Sequence, residues 1–230
     1  MGASILAHLV EPLLYLSALG YGLGYFIREI AGLSYLSFLA SGIMVSSAMM
    51  TASFEAMFSA YSRLDHQRTH ESLLATPLTV DDITTGEVLW ASMKALISGV
   101  GILLVAMLLG AVHGWRSLLA LPVIFLTGLT FAAMAMNITA LARRWDFFQY
   151  YMTLTPMLLL CGVFYPVSSL PEMLQAVVAW LPLTHAIALI RPLLTGQALT
   201  DVVTHLFVLG AYLALGWYSV IVLMRKRLFV

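Results

Sequence analysis

Charge and cysteine are the two things this chain has least of. Of its 230 residues only 10% are charged, against about 25% in an ordinary soluble domain. That shortage excludes a water-soluble enzyme, a disordered chain and a nucleic-acid binder. A single cysteine, Cys161, excludes a disulfide framework and any cysteine-based metal cluster. Neither sign of charge prevails, since eleven Lys and Arg balance eleven Asp and Glu. Where the charges sit is therefore the useful question. Catalytic signatures are missing too. There is no GxSxG nucleophile elbow, no GxxxxGK[ST] phosphate loop and no acidic metal motif, so any ATP must be bound by another chain.

In place of these the chain has apolar length. Hydrophobic residues make up 61% and the mean hydropathy is +0.95. A membrane-crossing helix needs about 20 mostly apolar residues. The charge-free runs Ile30 to Phe54, Ala95 to Trp115, Ser117 to Ala142, Phe147 to Pro171 and Val202 to Met224 each supply one crossing. Near the start, a further span fits about residues 9–27 with Glu11 at the headgroups. No basic region or small-residue cleavage site accompanies it, so it reads as a retained span rather than a signal peptide. Met173 to Ile190 is uncharged as well, but Pro182 divides it into two pieces too short to cross. With Pro166 and Pro171 it reads as a re-entrant or interfacial excursion.

The expected fold is an all-α integral membrane domain over residues 1–230, with spans at about 9–27, 35–58, 90–112, 117–141, 147–165 and 203–224. Six spans with both termini cytoplasmic place Arg63, Arg68, Lys94, Arg143, Arg144, Arg225, Lys226 and Arg227 inside, and only Arg28, Arg116 and Arg191 outside. This obeys the positive-inside rule, which a seventh span would violate by exporting the C-terminal cluster.

Nine of the charged residues fall between Glu55 and Lys94. Within that stretch Ser62 to Ala75 has the pattern of an amphipathic helix, with Leu64, Leu73 and Leu74 apolar. Thr76-Pro77 ends it, and Thr79 or Asp81 caps a new helix that runs through Glu87 and Trp90 into the third span. This suits either a device for receiving force from a soluble partner or a plain solvated connection. His66 and His70 share a face at helical spacing, but there is no third ligand and no metal site is expected. Ser46, Ser47 and Thr51 in the second span serve helix packing or a translocation wall. Phe164 and Tyr165, near Trp180, belong to an aromatic belt, to a surface that stacks on sugar rings, or to a lipid exit. Deep ionisable residues are few, which disfavours a proton-driven carrier or channel, although a buried Glu11 or Glu55 would keep that alternative open.

Several short segments, in order, carry a family resemblance. They are Glu11-Pro12-Leu13-Leu14-Tyr15-Leu16, Gly20-Tyr21-Gly22-Leu23-Gly24, Ser47-Ala48-Met49, Gln67-Arg68-Thr69, Thr155-Pro156-Met157, Phe164-Tyr165-Pro166-Val167 and Ile190-Arg191-Pro192. In these the chain resembles the permease subunit of ABC-2 type exporters, and within them the NodJ group associated with lipo-chitooligosaccharide export. The resemblance implies a permease homodimer in a bacterial inner membrane, with two ATP-binding subunits that hold ATP and Mg. It implies no cofactor on this chain and no catalysis by it. The family's coupling helix matches Arg68, Glu71, Leu74, Thr76 and Pro77, and the cargo would be a lipo-oligosaccharide, another lipid or a drug. Family members also carry an amphipathic cytoplasmic segment ahead of the point where this chain begins.

Overall fold

The computed structural model describes residues 13–112, 114–142, 152 and 154–228, and those residues are almost wholly helical. The first helix, α1 (Leu13–Gly22), leads to a hairpin of β1 (Glu29–Ile30) and β2 (Leu33–Ser34), with Glu29 opposite Ser34. Ala31 and Gly32 both have positive φ, 52° and 73°, as a two-residue hairpin turn requires. Ser34 then caps α2 (Tyr35–Phe54), its Oγ accepting from the Ser37 amide at 3.2 Å. Two π-helical segments, Glu55–Ser59 and Ser62–His66, prolong α2, making a continuous apolar span Tyr35–His66.

Next come α3 (Thr69–Leu74), α4 (Val80–Leu108), a 3-10 turn at Trp115–Leu119 and α5 (Ala120–Leu141). The chain continues through α6 (Leu154–Leu160), α7 (Glu172–Val178), α8 (Pro182–Thr195) and α9 (Val202–Leu228). Local chemistry sets several of these ends. Thr79 and Asp82 form a reciprocal capping box at the start of α4. Pro182 occupies the first turn of α8, where its missing N–H does no harm. Gly196, at φ 77°, closes that helix.

Among the described residues, four helices are long and apolar enough to cross a membrane: Tyr35–His66, Val80–Leu108, Trp115–Leu141 and Val202–Leu228. The α7–α8 pair, bent by 88°, would make a fifth only if taken as one broken span. The expected spans at 9–27 and 147–165 fall partly outside the described residues. Of them the structure shows α1 and α6, each shorter than a crossing. The apolar excursion that follows α6 is therefore a bent helical hairpin with its elbow at Trp180–Pro182. Its elbow carbonyls are satisfied by protein: Thr184 Oγ1 donates to Val178 O, His185 Nε2 to Ala179 O and Tyr212 OH to Trp180 O, each at 2.9 Å. Non-helical backbone in an apolar setting requires such partners.

The central element is α2, enclosed by α4, α5 and α8, with α9 packed outside on α5. Its buried face is rich in small residues, and Gly42 lies directly against the backbone of Val163. By contrast α9 leaves Phe207, Leu215 and Tyr218 exposed, an apolar face suited to lipid or a second subunit.

Candidate functional site

The charges between Glu55 and Lys94 gather at the end of the bundle that carries α3. Sequence periodicity predicts one helix over Ser62 to Ala75, and here the structure differs. The chain breaks at Arg68, which takes a left-handed conformation at φ 50°, and α3 starts again at Thr69. No glycine marks the break, so the sequence holds no sign of it. The reversal separates His66 from His70. His66 stays exposed, whereas His70 is fully buried beneath α3.

Of the residues matched to a coupling helix, Arg68, Glu71, Thr76 and Pro77 are exposed and Leu74 is half-buried against the core. Arg68 and Glu71 lie 4.0 Å apart on the outer edge of α3. Two surface clefts flank this arm. One, of about 420 Å³, includes Leu73, Leu78, Asp82, Glu87 and Trp90. The other, of about 540 Å³, includes Leu74, Leu78, Asp81 and Arg225. Leu78, which is 43% exposed, stands between them.

Behind the exposed edge runs a chain of enclosed charges. His70 Nε2 lies 3.1 Å from Glu87 Oε1. Glu87 receives a two-pronged contact from Arg63, with Nε donating to Oε1 at 2.8 Å and Nη2 to Oε2. Arg63 also donates to Glu55 Oε1, at 3.2 and 3.3 Å from its two terminal nitrogens. Glu55 collects further bonds from Ser59 Oγ at 2.7 Å, Trp90 Nε1 at 3.1 Å and Lys94 Nζ at 2.7 Å. Two carboxylates thus face two cations, so the cluster is balanced in charge and rich in hydrogen bonds. That balance is what lets ions persist away from water. The π-helical turns help to assemble it. Glu55, Ser59 and Arg63 are four residues apart, and a wider turn rotates less per residue, which keeps the three side chains on one face.

Two more ties bind α9 to the same end. Arg225 pairs with Asp81 at the start of α4, and Arg227 donates to the Thr139 and Ala140 carbonyls that end α5. A basic side chain at a helix C-terminus is favourable on both hydrogen-bond and dipole grounds. The Arg225–Asp81 pair is exposed, and exposed pairs contribute little. Asp81→Asn is accordingly expected to leave the thermal melting temperature of the purified protein nearly unchanged.

The residues considered for a substrate path lie elsewhere. Ser46, Ser47 and Thr51 are buried along α2. Ser47 Oγ bonds to Ser98 Oγ of α4 at 2.8 Å, and Ser46 Oγ donates to Ile43 O at 3.1 Å. Phe164 and Tyr165 are half-buried near the opposite end of the bundle, and Phe164 lies 6.4 Å from the Tyr15 ring. Among the described residues, none of these five side chains makes a hydrogen bond to a residue of α3. Glu55 and Glu87 were legible one at a time, but their meeting was not.

Comparison with known proteins accords with this architecture. Residues 2–195 match the family described as ABC-2 type transporter. Nodulation protein J of Rhizobium leguminosarum bv. viciae is 46% identical over 228 residues, covering 98% of this chain and 88% of that protein. Nodulation protein J of Rhizobium meliloti (strain 1021) is 45% identical, covering 98% and 87%. The inner membrane transport permease YadH of Escherichia coli (strain K12) is 29% identical over 181 residues, covering 76% and 69%. With its apolar spanning helices, the chain is thus a membrane permease that belongs to the ABC-2 type transporter family.

Proposed function

We propose that this chain is the permease subunit of an ATP-driven exporter that carries an amphiphile, such as a lipo-oligosaccharide, outward across the bacterial inner membrane. In this reading two copies form a dimer and two ATP-binding subunits dock on α3 from the cytoplasm, bringing ATP and Mg with them. The termini and the charged end of the bundle face the cytoplasm. The similarity to nodulation protein J supports the choice of cargo.

The observation that carries the reading is the placement of α3. Its outer edge is open between two clefts, while its inner face ends on His70 and so on the Glu87–Arg63–Glu55 chain. Movement of α3 by a partner would therefore reach α2 and α4, the helices that hold Glu55 and Glu87. A push on an exposed arm becomes a change in how two spanning helices pack, as a two-state permease needs.

Two kinds of variant separate docking from transmission. Arg68→Ala with Glu71→Ala removes exposed contacts, so it is expected to leave thermal stability unchanged and to weaken co-purification of the ATP-binding subunit. Glu87→Gln is expected to keep that association while ATP-dependent transport in proteoliposomes falls about tenfold, a typical coupling free energy. Transport by the chain alone, driven by an ion gradient and indifferent to ATP, would overturn the proposal.

A further inference from the structure

Near the α3 end, α2, α5 and α6 leave space between them. Ser53 and Met57 on α2 and its continuation, Phe131, Met134 and Ala135 on α5, and Met157 on α6 line a cavity of about 150 Å³. Apolar cavities of about this volume accept a benzene-sized hydrocarbon body. Three of the eight lining residues are methionine, whose unbranched, polarisable side chain adapts to guests of varied shape.

One polar group breaks the apolar lining. Ser53 is 1% exposed and is the one buried hydroxyl without a hydrogen-bond partner among the described residues. Neighbouring hydroxyls behave differently, as with Thr139 Oγ1, which donates to Ala56 O at 2.6 Å. A buried hydroxyl left unpaired keeps its full desolvation penalty. Water is a poor remedy, since a stable buried water needs about two to four polar partners and, among the described residues, the lining offers one polar side chain. The lining calls for a mostly hydrocarbon guest with a single acceptor oxygen.

Position narrows the guest further. Ser53 lies about 27 Å along α2 from Tyr35 at 1.5 Å per residue. Two residues later Glu55 enters the charged cluster. The cavity thus sits where apolar packing gives way to polar, the depth at which an acyl chain joins its headgroup in a leaflet. Met134 and Met157 are half-buried, so the described lining is not fully enclosed on their side.

We infer that this cavity takes the first few carbons of the acyl chain of an amphiphile from the leaflet nearest α3, with Ser53 Oγ donating to the carbonyl oxygen of the amide or ester that joins chain to headgroup and the rest of the chain lying outside it. The inference rests on the reading of the chain as an amphiphile exporter and names where its cargo, or a lipid of the same chemistry, first binds.

The test uses the full transporter with its ATP-binding subunit in phosphatidylcholine nanodiscs. The probe is N-hexadecanoyl-glucosamine with a diazirine on the acyl chain. Photoadducts are expected on Met57, Met134 or Met157 and should be competed by the unlabelled compound. Ala135→Phe, which fills the space, should lower these adducts at least fivefold. Ser53→Ala, which preserves volume, should weaken labelling by the acyl-amide probe several-fold but not labelling by a hexadecane diazirine. Adducts confined to exposed α9 residues, or equal effects of Ser53→Ala on both probes, would overturn the inference. Labelling needs no ATP. Absent adducts in a transporter that still exports with ATP would retire the cavity alone, whereas adducts in a chain that never binds an ATP-binding subunit would retire the exporter reading alone.

Discussion

Replacing Glu55 by alanine is expected to destabilise the protein by about 3–5 kcal/mol, the cost of breaking an enclosed ion pair from one side. The Glu55 side chain is 2% exposed and accepts from Ser59, Arg63, Trp90 and Lys94 at once. Its removal strands Lys94, whose side chain is 17% exposed, and leaves Arg63, 25% exposed, to Glu87 alone among the carboxylates of the cluster. The effect should appear as a lower melting temperature in detergent and a lower yield in the membrane. Glu55→Gln keeps the shape and some of the bonds, so it should be milder. Pairing Glu55→Leu with Lys94→Met should recover part of the loss, because an ion pair exchanged for apolar groups of similar volume is often near neutral. If Glu55→Ala melted like the wild type, the cluster would have to be well solvated and the transmission proposed through it would lose its basis.

How far the sequence disclosed this cluster depends on the kind of information each part needs. The charge-free runs place α2, α4, α5 and α9 because crossing length is a local property. The Thr79–Asp82 cap and the Pro182 start of α8 are equally local. Two stripes were also present in the sequence: Glu55, Ser59 and Arg63 on one helix, and Glu87, Trp90 and Lys94 on another, each at helical spacing. Their opposed charges suggest a pairing. What the sequence lacks is the registry that brings them together, since that is set by the packing of α2 on α4.

Two features left no local trace. The left-handed break at Arg68 has neither glycine nor asparagine to signal it. Helical spacing puts His70 on one face with His66, and that break is what turns it inward. In α2, polarity marked packing as readily as any path, for Ser47 meets Ser98. The Val163 carbonyl that confronts Gly42 is likewise a long-range fact, and it supports a second large effect.

Gly42→Ala should destabilise the protein by about 1–3 kcal/mol, and Gly42→Val by the upper end of that range or more. A Cβ at position 42 would lie 2.4 Å from Val163 O and 2.8 Å from Val163 Cα. Both are backbone atoms, so no side chain can swing aside and the segment must move off α2. That segment is held at the same place by Arg191. Its Nε donates to Ser41 Oγ at 2.9 Å, its Nη2 donates to Gly162 O at 2.6 Å, and its guanidinium lies 3.6 Å from the Phe38 ring centre. Displacing Val163 carries Gly162 with it, and one charge-assisted bond of Arg191 is lost together with the close packing. The control is Gly86, where an added Cβ meets nothing within 4 Å. In the second turn of α4, Gly86→Ala should stabilise by about 0.5–1 kcal/mol through helix propensity. The same chemical change should thus shift the melting temperature down at position 42 and up at position 86. A Gly42→Ala protein that melts at or above the wild type would mean that α2 does not approach Val163 this closely, and Arg191 would then not be clamping the segment between α6 and α7 against the central helix.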